Sequence, residues 1–229
     1  MKKYALVLIL FLTILNLTGN YLQNEWLIDI SKPLLMPSIA FYFIIKWQGT
    51  KDVIFIFTLL ALFFSWIGDI LLMYQSKDEN FFLYGLVAFL IAHITYIFDY
   101  TYLHTDIDKK QNKVFVISRI VLFSAVGGIL MHILWPKLGD FKIPVLIYTS
   151  IIILMLVFAI LRRDRTNPSS FAFIYGGAIL FILSDGMIAV SKFLHPFEYS
   201  RGLIMLTYIF AQFFIIKGVI EHHRFVMNK

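Results

Sequence analysis

The sequence contains no cysteine and few charged residues. Without cysteine, the 229-residue chain can form no disulfide, thiolate nucleophile or cysteine-based metal site. Asp, Glu, Lys and Arg together make up 15% of the residues, whereas about a quarter of a soluble domain is charged. No hydrophilic stretch is long enough to form a soluble domain. These absences argue against a soluble protein.

Long apolar runs separate the charged clusters. The chain is 60% hydrophobic, its mean hydropathy is +0.81, and the runs have about the length needed to cross a hydrocarbon core of ~30 Å. We predict an all-α, polytopic transmembrane bundle that forms a single domain over residues 1–229. The first run lacks an A-x-A-like cleavage site, so we expect a retained helix rather than a signal peptide. The eight predicted spans are residues 4–20, 33–47, 53–74, 81–103, 114–134, 143–161, 170–192 and 202–220.

Basic residues are unevenly divided between the two sides of this topology. The side that holds both termini carries 14 Lys and Arg residues, among them Lys109, and the other side carries 6. We therefore expect both termini in the cytoplasm and the protein in a bacterial inner membrane. This topology accounts for the net charge of +6, so we expect no nucleic-acid partner. At the second span, Ser31 is typical of an N-cap, Pro33 suits the first helical turn, and Pro37 predicts a kink.

Two aspartates interrupt apolar runs, Asp69 in WIGDILLM (66–73) and Asp185 in LFILSDGMIAV (180–190). An ionisable side chain at membrane depth is costly, so it marks a functional site or a paired structural contact. At 1.5 Å per residue the two lie ~25 and ~22 Å from the cytoplasmic ends of their spans. Each also adjoins a glycine, Gly68 or Gly186, which permits close approach of a neighbouring helix. The matched depth predicts a shared polar site, with both carboxyl groups on one cavity about 10 Å apart or closer.

Other polar residues fall near the same level and are candidates for binding a substrate. They converge only if spans 2, 3, 4, 7 and 8 surround one cavity. For His93 the alternative is a packing histidine with satisfied nitrogens, and for Lys32 it is an ordinary snorkelling lysine. The candidates are Lys32, Ser65, His93, Ser184, Tyr208 and Gln212. We expect Asp99 and His104 to be interfacial and His222 and His223 to lie in the C-terminal tail. The remaining His, Asp and Glu lack ligand spacing, so we predict no metal site.

Five segments resemble the YhhN-like family, in the family's order and spacing. The resemblance implies an eight-span membrane enzyme that hydrolyses the sn-1 vinyl ether of a lysoplasmalogen. The products would be a fatty aldehyde and glycerophospho-ethanolamine or -choline. It further implies that Asp69 and Asp185 are the catalytic pair, that the substrate is a lysophospholipid, and that no cofactor is needed. The segments are SKPLLMP (31–37), FSWIGDILLM (64–73), YGLVAFLIAHITYI (84–97), GGAILFILSDGMIAVSKF (176–193) and LIMLTYIFAQFFI (203–215).

Two other classes of function fit the residues alone. A proton-coupled transporter would use the aspartates as proton carriers, and a four-plus-four repeat would suit it, because a Gly-Leu pair follows each aspartate by 16 or 17 residues. A structural or lipid-sensing protein would use the aspartates only to hold helices together. Turnover in detergent distinguishes an enzyme from a transporter, which would need sealed vesicles to show activity. Asparagine in place of the aspartates distinguishes an enzyme from a structural protein, because packing should largely survive while catalysis is lost.

Overall fold

The protein forms a bundle of long helices. A computed structural model describes residues 2–104 and 110–228, and these contain eight α-helices, two short 3-10 turns between the fifth and sixth helices, and no strand. Each α-helix is long and apolar enough to cross a bilayer, so the chain is an integral membrane protein and the predicted fold class is confirmed. The helices are α1 (Lys2–Leu22), α2 (Glu25–Lys46), α3 (Val53–Met73), α4 (Asn80–Tyr102), α5 (Lys113–Leu134), α6 (Lys142–Leu161), α7 (Pro168–Phe193) and α8 (Ser200–Met227).

Short connections make successive helices alternate in direction, which gives the bundle two distinct ends. At the terminal end, defined as the end that holds both chain termini, His223 of α8 stacks on Trp47 after α2, with ring centroids 3.7 Å apart. At the opposite end, Arg201 at the start of α8 pairs with Glu25 at the start of α2. Which end faces the cytoplasm stays a prediction. Lys109, one of the residues on which that prediction rests, lies outside the described residues, as does Lys229.

Helix pairing is closest where small residues lie at an interface. A Cβ on Gly177 of α7 would come within 2.8 Å of the Ala211 carbonyl oxygen of α8, so glycine there lets the two backbones touch. The pairs α1–α2 and α3–α4 are also extensive. α5 differs, because it buries only Val116, Met131 and Leu134 among the described residues, and it forms the edge of the bundle.

The second helix begins eight residues before its predicted start. Its N-cap is Asn24, whose side chain accepts from the Leu27 amide, and Ser31 is an interior residue whose hydroxyl donates to the Leu27 carbonyl at 2.5 Å. The predicted N-cap at Ser31 is therefore wrong, and Pro33 lies well inside the helix. The extra turns carry charged residues, which lower the local hydropathy although the backbone stays helical.

The terminal end contains buried polar side chains that were expected near water. α8 continues to Met227, so His222 and His223 are buried helical residues, and the expectation of a tail is wrong. Asp99 is fully buried and accepts a hydrogen bond of 2.9 Å from Thr58, so it is not interfacial, whereas His104 is exposed. The tail was predicted wrongly because α8 is longer than the span needed to cross a bilayer.

Arg162, directly after α6, connects three helices by hydrogen bonds at the terminal end of the bundle. It is 1% exposed, and it donates to the Leu103 carbonyl at 3.1 Å and to Ser170 Oγ at 2.7 Å. Burial lowers the pKa of the Arg162 guanidinium to about 10, although Tyr100 and Asp99 oppose this effect. Arg162 is therefore still charged at neutral pH, and its hydrogen bonds tie α4, α6 and α7 together.

Candidate active site

Asp69 lies in the interior of the bundle, between α3 and α8. It is 3% exposed, and the Tyr208 hydroxyl donates to its Oδ2 at 2.8 Å. One turn further along α8, Gln212 donates to Ser65 Oγ at 2.9 Å and accepts from the Tyr96 hydroxyl at 2.6 Å. The structure thus brings Ser65, Tyr208 and Gln212 together around Asp69. Ser65 and Gln212 are fully buried and bonded to each other, and their role in binding a substrate stays a prediction.

Asp185 occupies the matching position on α7 but has different surroundings. Its Oδ2 accepts a hydrogen bond from the hydroxyl of Tyr148, on α6. The His93 ring packs edge-on against Tyr148 at 5.3 Å and against Phe181 at 4.7 Å. Neither nitrogen of His93 has a hydrogen-bond partner within the described residues, which does not fit the alternative of a packing histidine with satisfied nitrogens. Tyr148, which the sequence analysis did not single out, is therefore the direct partner of the second aspartate.

The two aspartates lie at a similar depth in the bundle. From the first residues of α3 and α7, Asp69 and Asp185 lie about 24 and 26 Å along their helices, which agrees with the predicted common depth. They are close enough to interact electrostatically. Phe181 packs edge-on against Tyr208 with ring centroids 5.5 Å apart. Because Phe181 also contacts His93, which contacts Tyr148, a chain of aromatic contacts connects the two tyrosines that hold the carboxyl groups.

The two neighbouring glycines differ in their surroundings. A Cβ on Gly68 would come within 2.6 Å of the Phe89 ring, so the absence of a side chain is required there. A Cβ on Gly186 would meet only Leu130, at 3.6 Å, which is an ordinary contact. The expected close approach is therefore present at Gly68, against a ring of α4, and is not present at Gly186.

Two cavities meet beside the aspartates. The apolar cavity, about 100 Å³, is lined by residues of α3 to α7, including Phe89, Tyr148 and Asp185. The polar cavity, about 400 Å³, lies at the opposite end of the bundle. Leu72 and Ile188 line both cavities, and each lies one helical turn beyond an aspartate. The polar cavity is lined by Asn20, Glu25, Ile28, Asp29, Lys32, Leu72, Met73, Gln75, Ser76, Ile188, Ser191, Lys192, Arg201, Ile204 and Met205.

The expectation that both carboxyl groups line one cavity is wrong within the described residues, because only Asp185 lines a cavity. Within the described residues, Asp69 lines neither cavity. The reason is Phe89, which lines the apolar cavity and packs on Gly68 and edge-on against Tyr208 at 5.8 Å. Its ring covers the Asp69 side of the apolar cavity.

The remaining candidates lie at the edge of the site. Lys32 lines the polar cavity and interacts electrostatically with Asp69. Ser184 donates to the Ile204 carbonyl at 3.1 Å, so its hydroxyl joins α7 to α8 instead of facing a cavity. Among residues 2–104 and 110–228, no three His, Asp or Glu side chains are grouped as metal ligands. The independence from metals and cofactors stays a prediction.

Several known proteins are similar to this chain in sequence. The chain is 31% identical over 172 residues to Lysoplasmalogenase TMEM86A of Bos taurus, covering 71% of this chain and 64% of that protein. It is 31% identical over 160 residues to a Lysoplasmalogenase of Mycobacterium bovis, covering 69% and 58%. The chain thus spans less than two thirds of the length of these two relatives. It is 21% identical over 208 residues to the uncharacterized membrane protein YhhN of Escherichia coli, covering 90% and 93%.

No solved structure matches the chain. The model of the YhhN family matches residues 27–219, which include both aspartates, both of their tyrosine partners and Lys32. The match extends from the first turn of α2 into α8, and it includes every residue that lines the apolar cavity and all but Asn20 and Glu25 of those that line the polar cavity. The chain therefore belongs to the YhhN family.

Proposed function

We propose that this protein is a lysoplasmalogenase, a membrane hydrolase that cleaves the sn-1 vinyl ether of a lysophospholipid to a fatty aldehyde and a glycerophospho-alcohol. The proposal rests mainly on the position of two carboxyl groups that each accept a hydrogen bond from a tyrosine. Each lies one helical turn from Leu72 or Ile188, the residues that line both the polar and the apolar cavity. Relatives that bear the name lysoplasmalogenase support the choice of reaction.

Vinyl ether hydrolysis needs an acid, a stabilising negative charge and a base. The acid protonates the alkene carbon remote from oxygen, which leaves an oxocarbenium ion. Water adds to this cation and gives up a proton to the base. The resulting hemiacetal breaks its bond to the glycerol oxygen and yields an aldehyde and an alcohol. Two carboxyl groups supply all three functions, as they do for the related cation in glycoside hydrolysis.

The surroundings of the two aspartates suggest different roles for them. Lys32 provides a positive charge that stabilises a carboxylate at Asp69. Each carboxyl group accepts a hydrogen bond from a tyrosine, but only Asp185 lines the apolar cavity, where the alkene would lie. We therefore assign Asp185 as the proton donor and Asp69 as the ionised group that stabilises the cation and accepts the proton of water. For Asp69 to reach the cation, the Phe89 ring must turn aside.

The shapes of the two cavities suit a single-chain amphiphile. Apolar residues surround the cavity beside Asp185, which suits the alkenyl chain. The polar cavity at the opposite end suits the glycerophospho headgroup. A lysolipid bound across the junction of the cavities would place its first chain carbons beside the carboxyl groups. The substrate already resides in the membrane, which explains why the site lies inside the bundle.

The test is aldehyde release from a panel of lysolipids by the purified full-length protein in detergent. The panel contains vinyl ether, alkyl ether and ester lysolipids, and free aldehyde is scored against free fatty acid. We expect Asp69→Asn and Asp185→Asn to lose at least about 100-fold in turnover, because general acid–base catalysis contributes 10²–10⁴-fold. The double variant should be little worse than either single variant, because residues that act as one unit are not additive.

Asp99→Asn is the matched control. Asp99 is a third buried carboxyl group in a membrane helix, and an asparagine there can keep the hydrogen bond to Thr58. We expect this variant to keep its turnover within a few-fold of wild type. Retention of more than about a tenth of the activity by either Asn variant at the pair would exclude the paired mechanism. Absence of aldehyde in detergent, with substrate movement in sealed vesicles, would favour the transporter alternative.

A further inference from the structure

The polar cavity is lined by two neighbouring side chains of opposite charge on α2. Lys32 and Asp29 line the cavity, and neither makes a hydrogen bond or ion pair within the described residues. They lie three residues apart on α2, so both side chains project from one face with Cβ atoms about 5–6 Å apart. A cation and an anion are thus presented side by side without direct partners.

Lys32 is suited to an anionic group. Lys32 is half-buried, and it interacts electrostatically with the positive charge of Arg201 and with the negative charge of Asp69. A lysine within a membrane helix is costly unless an anion or water meets it. The aqueous cavity in front of it is large enough for a phosphate, and lysine binds phosphate as a point charge. The phosphodiester of a lysophospholipid fits this position.

Asp29 is suited to a cationic group on the same ligand. It is exposed to the cavity one turn from Lys32, on the side of Glu25. Glu25 is already paired with Arg201 at 2.9 Å, so Asp29 is the carboxylate that is free to accept new hydrogen bonds. A two-carbon linker between phosphate and amine can bridge the separation of Lys32 and Asp29.

The lining of the cavity distinguishes between the two common amino headgroups. A quaternary ammonium has no N–H and is bound by aromatic cages, whereas a primary ammonium donates three hydrogen bonds. None of the described lining residues is aromatic, and the lining offers carboxylate and amide oxygens. We propose, resting on the proposed function, that this cavity is a headgroup site that prefers glycerophospho-ethanolamine to glycerophospho-choline, with Lys32 on the phosphate and Asp29 on the primary ammonium.

Headgroup preference is measured with two lysoplasmalogens that share one alkenyl chain. The full-length protein should hydrolyse the ethanolamine lipid with a kcat/KM at least about tenfold above that of the choline lipid. Asp29→Asn should lower kcat/KM for the ethanolamine lipid about tenfold and leave the choline lipid within twofold, because one charge-assisted hydrogen bond is lost. Lys32→Ala should raise KM for both lipids. Asp140→Asn is the control, since it removes the same charge at the same end of the bundle but outside the cavity.

A binding measurement separates this proposal from the proposed function. Alkyl ether lysolipids with the two headgroups bind without being cleaved, and their affinity is read from the shift in the thermal unfolding midpoint. Tighter binding of the ethanolamine form, reduced by Asp29→Asn, supports the headgroup site even if no aldehyde is formed, in which case only the proposed function fails. Equal affinity for both headgroups, or equal loss of both in Asp29→Asn, would overturn the headgroup proposal even if aldehyde is released.

Discussion

Two tyrosines hold the two aspartates, and removing their hydroxyls tests the assigned roles. Tyr208→Phe deletes the donor to Asp69, and Tyr148→Phe deletes the donor to Asp185. Each substitution keeps the ring, so the edge-on packing of Tyr208 against Phe181 and of Tyr148 against His93 is retained. The perturbation is therefore one hydrogen bond at each carboxyl group.

The two losses should differ in size because the carboxyl groups carry different charges in the mechanism. A hydrogen bond to an ionised group contributes about 1.5–3 kcal/mol, and one between neutral groups about 0.5–1.5 kcal/mol. With about 1.4 kcal/mol for each factor of ten in rate, Tyr208→Phe should lower kcat/KM by about 10- to 100-fold. Tyr148→Phe should lower it by about 2- to 10-fold. The unpaired Asp69 should also lower the free energy of unfolding by about 1–3 kcal/mol in Tyr208→Phe.

The assay is aldehyde release, with thermal unfolding in the same detergent as the stability measurement. Tyr175→Phe is the matched control, because the Tyr175 ring packs against Phe171 and no hydrogen bond of its hydroxyl is found within the described residues. It should leave kcat/KM within about twofold, as expected for a surface change of a few tenths of a kcal/mol. A larger loss in Tyr148→Phe than in Tyr208→Phe would refute the assignment of Asp69 as the ionised partner.

Three further predictions concern packing and topology. Gly68→Ala should destabilise the protein by about 1–3 kcal/mol, because the added methyl displaces the Phe89 ring. Gly186→Ala should be neutral or slightly stabilising, because there is room for a methyl group at that position. Thermal unfolding midpoints of the two variants test this difference. Arg162→Ala should cost about 3 kcal/mol or more in the free energy of unfolding, and an unchanged midpoint would show that its buried hydrogen bonds do not stabilise the bundle. A C-terminal reporter that is active only outside the cytoplasm should stay silent, and strong activity would reverse the predicted orientation.

The number and type of helices could be predicted because bilayer thickness sets the length of an apolar run. The start of α2 could not be predicted, because the charged residues Asp29 and Lys32 lower the hydropathy to that of a loop although the helix already begins at Glu25. A helix that lines a water-filled cavity satisfies its backbone internally and tolerates charged side chains on one face. The end of α8 was also missed, because the helix continues to Met227 and is longer than the apolar run that hydropathy detects.

The candidate site could be predicted in part. Ser65, Tyr208 and Gln212 were identifiable because they share a membrane depth with Asp69, and depth follows from position along a helix. Tyr148 gave no comparable signal, because one tyrosine among the many aromatic residues of membrane helices is ordinary. Which side of α6 faces α7 depends on how the helices pack, and neither hydropathy nor position along the helix predicts that. Asp29 was missed because its turn of α2 was treated as a loop.

The junction of the two cavities at Leu72 and Ile188 also determines how the products would separate. The proposed cleavage would divide the ligand into a water-soluble part on the side of the polar cavity and an apolar part on the side of the apolar cavity. The two products would then leave from different cavities, so neither would have to pass the other. A single-chain detergent has the same two-part shape as the substrate and should compete for both cavities. Activity measured in lipid nanodiscs should therefore exceed activity in such a detergent, and the difference should grow as the detergent concentration rises.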